Sequence, residues 1–202
     1  TLTSGRKSFL ASFYGNGEGK VELHSQQETD QVLQAIEGQT YRVKTVKKSK
    51  KKRTPAPPFI TSTLQQEASR KLSMTAKRTM MVAQELYEGV EIEGQGLTGL
   101  IMRTDSLRVS DDALAAARDY IGTRFGGDYL PAKPRHYKTK KSAQDAHEAV
   151  RPTNPQLDPE SLKHSLTADQ YKLYKLIWSR FTASQMTDAM MDTTSVDIAC
   201  SD

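Results

Sequence analysis

The chain has 202 residues, of which 36% are hydrophobic and 26% are charged. This composition is typical of a polar globular protein with one large or two small domains. No apolar run approaches the roughly 18 residues that a membrane-spanning helix requires. The single Cys200 argues against a disulfide framework and a cysteine-based metal site. We therefore expect a cytoplasmic protein, and the first residue, Thr1, suggests a piece of a longer one.

The net charge of +5 has a local origin. Eight basic residues lie between Arg42 and Arg53, and no acidic residue occurs between Glu37 and Glu67. Without these eight, 21 basic residues face 24 acidic ones, and the remainder is slightly acidic. The stretch is either a patch that contacts phosphates or a solvated basic loop without a specific partner.

Residues 1–59 are predicted to form a small α/β region. Residues 9–13 and 20–23 flank a turn-rich segment at 15–19, which predicts a hairpin. A helix is expected over 25–36, and the alternation at 41–45 predicts a half-buried strand. The prolines of 55–58 interrupt regular structure and predict a stiff connector.

Residues 60–187 are predicted to be mostly helical. We expect helices over 63–72, over 75–87, from Ser110 to Gly126, from Ser142 to Pro152, and from Thr167 onward. The core-facing positions of the second helix are assigned by period to Ala76, Met80, Ala83 and Tyr87. The aromatic residues of the last helix are assigned to the core rather than to base stacking; they are Tyr171, Tyr174, Trp178 and Phe181.

A strand is expected at 193–198, close to the end of the sequence. A lone strand needs a sheet, and residues 1–59 offer strands to pair with. We therefore predict an α+β protein with two domains, one discontinuous (1–59 and 188–202) and one helical domain inserted between its parts (60–187).

Three segments carry candidate chemistry: residues 59–71, residues 102–106 and residues 144–153. On a helix, Gln144, His147 and Arg151 would share one face, and their side chains can all donate hydrogen bonds to phosphate oxygens. The competing interpretation is a solvated surface helix. Met102-Arg-Thr-Asp-Ser106 taken alone fits a local turn equally well.

In this order the three segments resemble the bacterial type IA DNA topoisomerases, over essentially the whole chain. Met102 before Arg103 is similar to the topoisomerase I branch. The resemblance implies ATP-independent relaxation of negatively supercoiled DNA through a 5′-phosphotyrosine, with single-stranded DNA as the preferred partner, in a monomer at the bacterial nucleoid. It also implies a strand-containing arch domain and an inserted winged-helix-like domain.

The resemblance implies roles for individual residues. Arg103 would stabilise charge on the scissile phosphate, Asp105 would order the site, and His147 would hydrogen-bond a phosphate near the cleavage point. Further candidate DNA-binding residues are Thr61, Ser62, Thr63, Gln65, Gln66, Thr104, Ser106, Gln144, Glu148 and Arg151. No metal ligand is expected in this chain, because the family binds Mg²⁺ through a Toprim domain that the sequence does not contain.

One departure from the family concerns the nucleophile. The family pattern has Thr-Tyr before Met-Arg-Thr-Asp-Ser, and the tyrosine attacks the DNA. Here Ile101 precedes Met102 directly. Either the pair is deleted from the polypeptide, or the protein carries it and the printed sequence skips it. Without the tyrosine and Toprim we expect no relaxation activity and weak binding to single strands. The alternatives are a non-catalytic, helix-turn-helix-like DNA-binding module and a protein-interaction module with a basic segment.

Overall fold

The fold is taken from a computed structural model, which describes residues 1–137 and 148–200. The predicted site residues Gln144 and His147, and the helix start at Ser142, lie outside the described residues. Helices and strands are mixed, as expected for an α+β protein. The chain divides into two compact units, one of residues 1–49 and 192–202 and one of residues 50–191.

The first unit contains short strands, one helix and the greater parts of two long strands. In chain order its elements are β1 (Leu2–Ser4), β2 (Lys7–Phe9), β3 (Gly15–Asn16), β4 (Gly19–Lys20), α1 (Gln26–Ile36) and the greater parts of β5 (Tyr41–Arg53) and β10 (Ala189–Cys200). Strands β1 and β2 pair antiparallel, and so do β3 and β4.

The predicted hairpin is present only at its tip. Residues 10–13 and 21–23 are not strands, and the pairing stops after Gly15↔Lys20 and Asn16↔Gly19. A Cβ atom on Gly15 would lie 1.8 Å from the carbonyl oxygen of Gly19, so this close approach requires glycine. Phe9, which the sequence pattern places in that hairpin, belongs instead to residues 7–9, which pair with residues 2–4.

Helix α1 begins where the sequence predicts, because the Ser25 side chain accepts a hydrogen bond from the Glu28 amide. Strand β5 pairs with β10 (Ala189–Cys200), which includes the strand expected at 193–198. The Thr45 hydroxyl donates to Asp197, and the Ser49 and Thr193 hydroxyls lie 2.8 Å apart. From the first contact to the second, the residue number rises by four in β5 and falls by four in β10. The two strands are therefore antiparallel.

The expectation that β5 is half buried is wrong. Twelve of its 13 residues are exposed, and only Thr45 is partly covered. The apolar alternation of Tyr41 and Val43 persists in the strand, but no second layer covers either side chain among the described residues.

The second unit holds the remaining helices. In chain order its elements are α2 (Thr61–Leu72), α3 (Ala76–Glu88), β6 (Val90–Ile92), β7 (Gly96–Thr98), β8 (Ile101–Met102), α4 (Asp111–Phe125), a 3-10 turn (Gly127–Tyr129), β9 (Arg151–Pro152) and α5 (Ala168–Ser184). Strand β6 pairs with β7, and β8 pairs with β9.

Helices α2, α3 and α5 enclose the main core of this unit. Leu64, Leu86 and Ile177 are fully buried there. Three of the four aromatic residues of α5 are core residues as predicted, since Tyr174 and Phe181 are inaccessible and Trp178 is 9% exposed. Tyr171 is only partly buried and packs at the edge of the core. The Tyr174 hydroxyl donates to the Leu157 carbonyl at 2.7 Å, and burial raises the pKa of Tyr174.

The predicted core face of α3 is displaced by about one position. Thr79, Val82, Ala83 and Leu86 are the buried residues, whereas Tyr87 is 46% exposed. Thr79 tolerates burial because its hydroxyl donates to the Thr75 carbonyl at 2.9 Å. The assignment of Tyr87 to the core was therefore wrong, and this residue faces the surface beside Arg103.

Glu67 connects α2 to α5 by charge. Its carboxylate lies 3.0 Å from the Lys71 ammonium and 3.7 Å from the Arg180 guanidinium, and it also pairs with Arg70. The hydrogen bond from Lys71 is the largest of the effects that hold the pKa of Glu67 below its usual range. The Arg180 guanidinium also lies 4.2 Å from the centroid of the buried Phe59 ring.

We expect Glu67→Gln to lower the free energy of unfolding by about 1 kcal/mol at pH 7, the upper end for ion pairs whose cationic partners reach solvent. The lowered pKa in the folded state means that the ionised carboxylate stabilises the fold above its unfolded pKa. That stabilisation is lost as pH falls through the folded pKa. Urea unfolding at neutral and at acid pH measures the difference, which should shrink in acid. The exposed Glu93→Gln is the control, and a larger deficit in acid than at pH 7 would contradict the assignment.

Candidate nucleic-acid interface

The three segments singled out in the sequence meet in the second unit. Strand β8 pairs with β9 in the register Ile101↔Pro152 and Met102↔Arg151. One residue earlier in the third segment, Val150 forms a bridge with Phe59 of the first segment. Backbone pairing therefore brings residues far apart in sequence to one place.

Further backbone hydrogen bonds fix this arrangement on both sides. The Val150 amide donates to the Phe59 carbonyl at 2.8 Å, and the Ala149 amide donates to the Arg108 carbonyl at 2.8 Å. On the other side, the Thr153 amide donates to the Leu100 carbonyl at 3.0 Å. Phe59, Leu100, Ala149 and Val150 are almost completely buried, so these bonds are protected from water.

Asp105 is placed at the beginning of α2. Its carboxylate accepts a hydrogen bond from the Thr61 amide at 3.2 Å, although 44 residues separate the two. The N-cap residue, Ile60, has no side-chain acceptor. A carboxylate from a distant segment thus supplies an acceptor for one of the free amides and a negative charge at the positive end of the helix.

Arg103 and Thr104 point to different neighbours. The Arg103 guanidinium donates to the side-chain oxygen of Gln84 and lies 5.8 Å from the centroid of the Tyr87 ring. The Thr104 hydroxyl donates to the Glu148 carbonyl, which ties the second segment to the third. Arg103 remains partly exposed, and a guanidinium carries five N–H donors.

The helix predicted from 142 to Pro152 does not reach its expected end. Arg151 and Pro152 form strand β9, and residues 148 and 149 are not helical. Pairing with Met102 overrides the local helical pattern, because sheet hydrogen bonds and burial outweigh propensity. Val150 faces inward as predicted, at 1% exposure.

Arg151 is therefore not on an exposed helical face. It is 8% exposed, its Nε donates to Glu148 at 2.7 Å, and its Nη1 donates to the Pro152 carbonyl at 2.9 Å. A buried, paired guanidinium stabilises the junction of the segments and has fewer donors left for a phosphate.

The remaining predicted contacts divide into surface and buried residues. The first two turns of α2 carry Thr61, Ser62, Thr63, Gln65 and Gln66, all at least partly exposed. Thr63 is partly committed, because its hydroxyl bonds with the backbone of Ile60. Ser106 is 2% exposed, and its hydroxyl accepts a hydrogen bond from the Arg108 amide at 3.1 Å, so the structure gives it a local structural contact.

The eight basic residues of β5 are exposed along the strand. Within the described part of the chain, none of them lies within 4.0 Å of a carboxylate oxygen. The interpretation as an irregular loop is therefore replaced by an extended strand. Its positive side chains remain available to a polyanion.

Sequence reasoning missed Gln84 and Tyr87. The period assigned to α3 placed Tyr87 inward, and nothing in the sequence relates Gln84 to Arg103. Both face the second segment because the Leu100 amide donates to the Leu86 carbonyl at 2.8 Å, which sets β8 against α3. Correct phasing of α3, with Thr79 inward, would have exposed Tyr87 but would not have identified its neighbour.

Two kinds of feature are not found among residues 1–137 and 148–200. No group of three or more His, Cys, Asp or Glu side chains is arranged to hold a metal ion. No helix there is long and apolar enough to span a bilayer. The described residues therefore do not fit a magnesium site.

A family model described as DNA topoisomerase matches residues 4–202. The full-length topoisomerase I from Thermotoga maritima has a similar solved structure, with a TM-score of 0.68 and 39% sequence identity. The match covers 90% of this chain and 28% of that chain, so the sequence spans less than a third of the length of the T. maritima protein. The family match over nearly all residues, together with three ordered segments that fold to one place, shows that the chain belongs to the bacterial type IA DNA topoisomerases, a family of isomerases.

Proposed function

We propose that this chain is the part of a longer type IA DNA topoisomerase that holds the protein side of the strand-cleavage site. The parent reaction would be ATP-independent relaxation of negatively supercoiled DNA by single-strand cleavage, passage and rejoining. The observation that carries the proposal is the meeting of residues 59–61, 101–106 and 148–153 at one partly exposed place. Mg²⁺ would be bound by another part of that longer protein.

In this proposal Arg103 binds the phosphate at the cleavage point. Its guanidinium keeps several N–H groups that are not used within the described residues, and it cannot lose its charge near neutral pH. Asp105 acts through α2, because it fixes the first turn in which Thr61 to Gln66 are placed. His147 and Gln144 are assigned phosphate contacts by the resemblance alone.

Cleavage requires a tyrosine that the chain does not contain at the expected place. The tyrosine oxygen would attack phosphorus, the bond from phosphorus to the 3′-oxygen would break, and the 3′-hydroxyl would leave with a proton. The broken strand then remains attached through a 5′-phosphotyrosine. Strand β8 is continuous from Ile101 to Met102, and the two residues pair with Pro152 and Arg151 in succession. The intact mass of the purified protein decides whether a threonine and a tyrosine are present.

The domain organisation supports the same proposal. The sequence predicts an arch domain over 1–59 and 188–202 and a catalytic domain over 60–187. The two units likewise form one discontinuous and one continuous part, with boundaries at residues 49–50 and 191–192. In the second unit, α2 and α3 are followed by the β6–β7 hairpin, an order compatible with a winged-helix-like domain. The alternative, a non-catalytic DNA-binding module, would use the same helices.

Arg103→Ala should weaken binding of a single-stranded oligothymidylate roughly tenfold at low salt, because a charged hydrogen bond to phosphate is lost. Fluorescence anisotropy measures the dissociation constant. The control is Arg124→Ala, which removes the same charge from the exposed last turn of α4. Equal losses for the two variants would show that only net charge matters and would contradict the assigned site.

The catalytic proposal is tested by inserting Thr-Tyr between Ile101 and Met102. The unaltered chain should neither relax supercoiled DNA with Mg²⁺ nor form an adduct, since it lacks the nucleophile at this position. With a Toprim-containing polypeptide added, the insertion variant should form a covalent DNA adduct that resists denaturation and is digested by protease. Insertion of Thr-Phe is the matched control. The absence of an adduct with Thr-Tyr would favour the non-catalytic module, and an adduct with Thr-Phe would show that the nucleophile is a different residue.

A further inference from the structure

Within residues 1–137 and 148–200, the side-chain contacts of Arg103 are with one helix, α3. Its guanidinium donates a hydrogen bond to the side-chain oxygen of Gln84, and the guanidinium carbon lies 5.8 Å from the centroid of the Tyr87 ring. Both partners lie on α3, three residues apart, and therefore on the same side of that helix. No carboxylate within the described residues lies within 4.0 Å of this guanidinium.

The orientation of the Gln84 amide is determined by both of its neighbours. Its nitrogen donates to the carboxylate of Glu88, one helical turn further along α3. A carboxylate can only accept and a guanidinium can only donate, so only one of the two amide orientations satisfies both contacts. Glu88 therefore directs the Gln84 oxygen toward Arg103. Glu88 acts on the guanidinium only through Gln84.

The Tyr87 ring supplies the second side of this arrangement. A cation within about 6 Å of an aromatic centroid is attracted by the electron-rich face of the ring. Tyr87 is 46% exposed, an unusual position for a large aromatic residue on a helix whose neighbours Leu86 and Ala83 are fully buried. The face of the Tyr87 ring makes the contact with Arg103.

Helix α3 is a rigid support for these side chains. Val82, Ala83 and Leu86 anchor it in the core, and the Leu100 amide bonds to the Leu86 carbonyl just before β8. Arg103 follows β8 directly, so its backbone and its side-chain partners are fixed to the same helix. A preorganised guanidinium loses less conformational entropy when a phosphate binds than a freely rotating one.

We propose that Gln84 and Tyr87, with Glu88 behind Gln84, are positioning residues that hold the Arg103 guanidinium for a DNA phosphate. Gln84 takes one N–H donor and leaves the others for the ligand, while the neutral amide and ring leave the positive charge unpaired. An acidic residue in place of Gln84 would neutralise that charge and compete with phosphate. The proposal rests on the proposed role of Arg103 in DNA binding.

Gln84→Leu should weaken binding of a single-stranded oligothymidylate about threefold to tenfold, since the charged hydrogen bond that orients Arg103 is lost. In an Arg103→Ala background the same substitution should change affinity by less than about twofold, because the two residues act as a unit. Tyr87→Phe should bind oligothymidylate as tightly as the unaltered chain, and Tyr87→Leu should bind it more weakly. Gln34→Leu, on α1, is the matched control, and thermal unfolding identifies variants that fail to fold.

A second measurement, on the free protein, separates this inference from the proposed function. The side-chain ¹⁵N–¹H signals of Arg103 should show slow guanidinium rotation in the unaltered chain and fast rotation in Gln84→Leu. The positioning role would be overturned if Gln84→Leu weakened oligothymidylate binding equally with and without Arg103. It would also be overturned if Gln84→Leu left the Arg103 signals unchanged. If the unaltered chain does not bind oligothymidylate while its Arg103 signals respond to Gln84→Leu, the proposed function fails and the contact with α3 stands.

Discussion

The short antiparallel contact between residues 101–102 and 151–152 is the constraint on which the rest of the site depends. It comprises only two residue pairs, but it is extended by the Phe59↔Val150 bridge and by the hydrogen bond from Thr153 to Leu100. These contacts join three parts of the chain that local forces would leave independent. Burial of Phe59, Leu100, Ile101 and Val150 excludes water, so the backbone bonds here cannot be exchanged for solvent without a large cost.

The helical scaffold gives this junction its rigidity. Helices α2, α3 and α5 share one core, and each is tied to the junction by a separate contact. The first amide of α2, that of Thr61, donates to Asp105, while α3 holds Arg103 through Gln84. Arg180 of α5 lies over the Phe59 ring. A displacement of any one helix would therefore alter the surroundings of the segment from 103 to 105.

Local signals in the sequence were sufficient where a single helix satisfied its own requirements. Ser25, Thr75 and Thr167 each precede a helix and accept a hydrogen bond from its first turn. The predicted cap Ser110 also precedes its helix, α4, but its side chain makes no such bond. The aromatic spacing of α5 likewise predicted the burial of Tyr174 and Phe181. The order of the three segments in the sequence likewise indicates the family.

Predictions failed where distant residues decide the outcome. Arg151 leaves its helical pattern because Met102 pairs with it. The apolar pattern of α3 predicts Tyr87 at the core, because a threonine does not count as an apolar residue in that pattern. Thr79 is nevertheless buried, since its hydroxyl donates a hydrogen bond within the helix. The pairing of Asp105 with Thr61 spans 44 residues and has no local signature.

The proposed DNA site is the junction of the three segments rather than the basic strand β5. Titration of the ¹⁵N-labelled chain with a short single-stranded oligothymidylate, followed by amide chemical shifts, tests this most directly. We expect the largest changes at residues 61–66, 103–106 and 148–153, with smaller changes in β5 that disappear as salt is raised. Changes confined to residues 42–53, with the three segments unaffected, would contradict the central claim and leave only non-specific attraction to a positive strand.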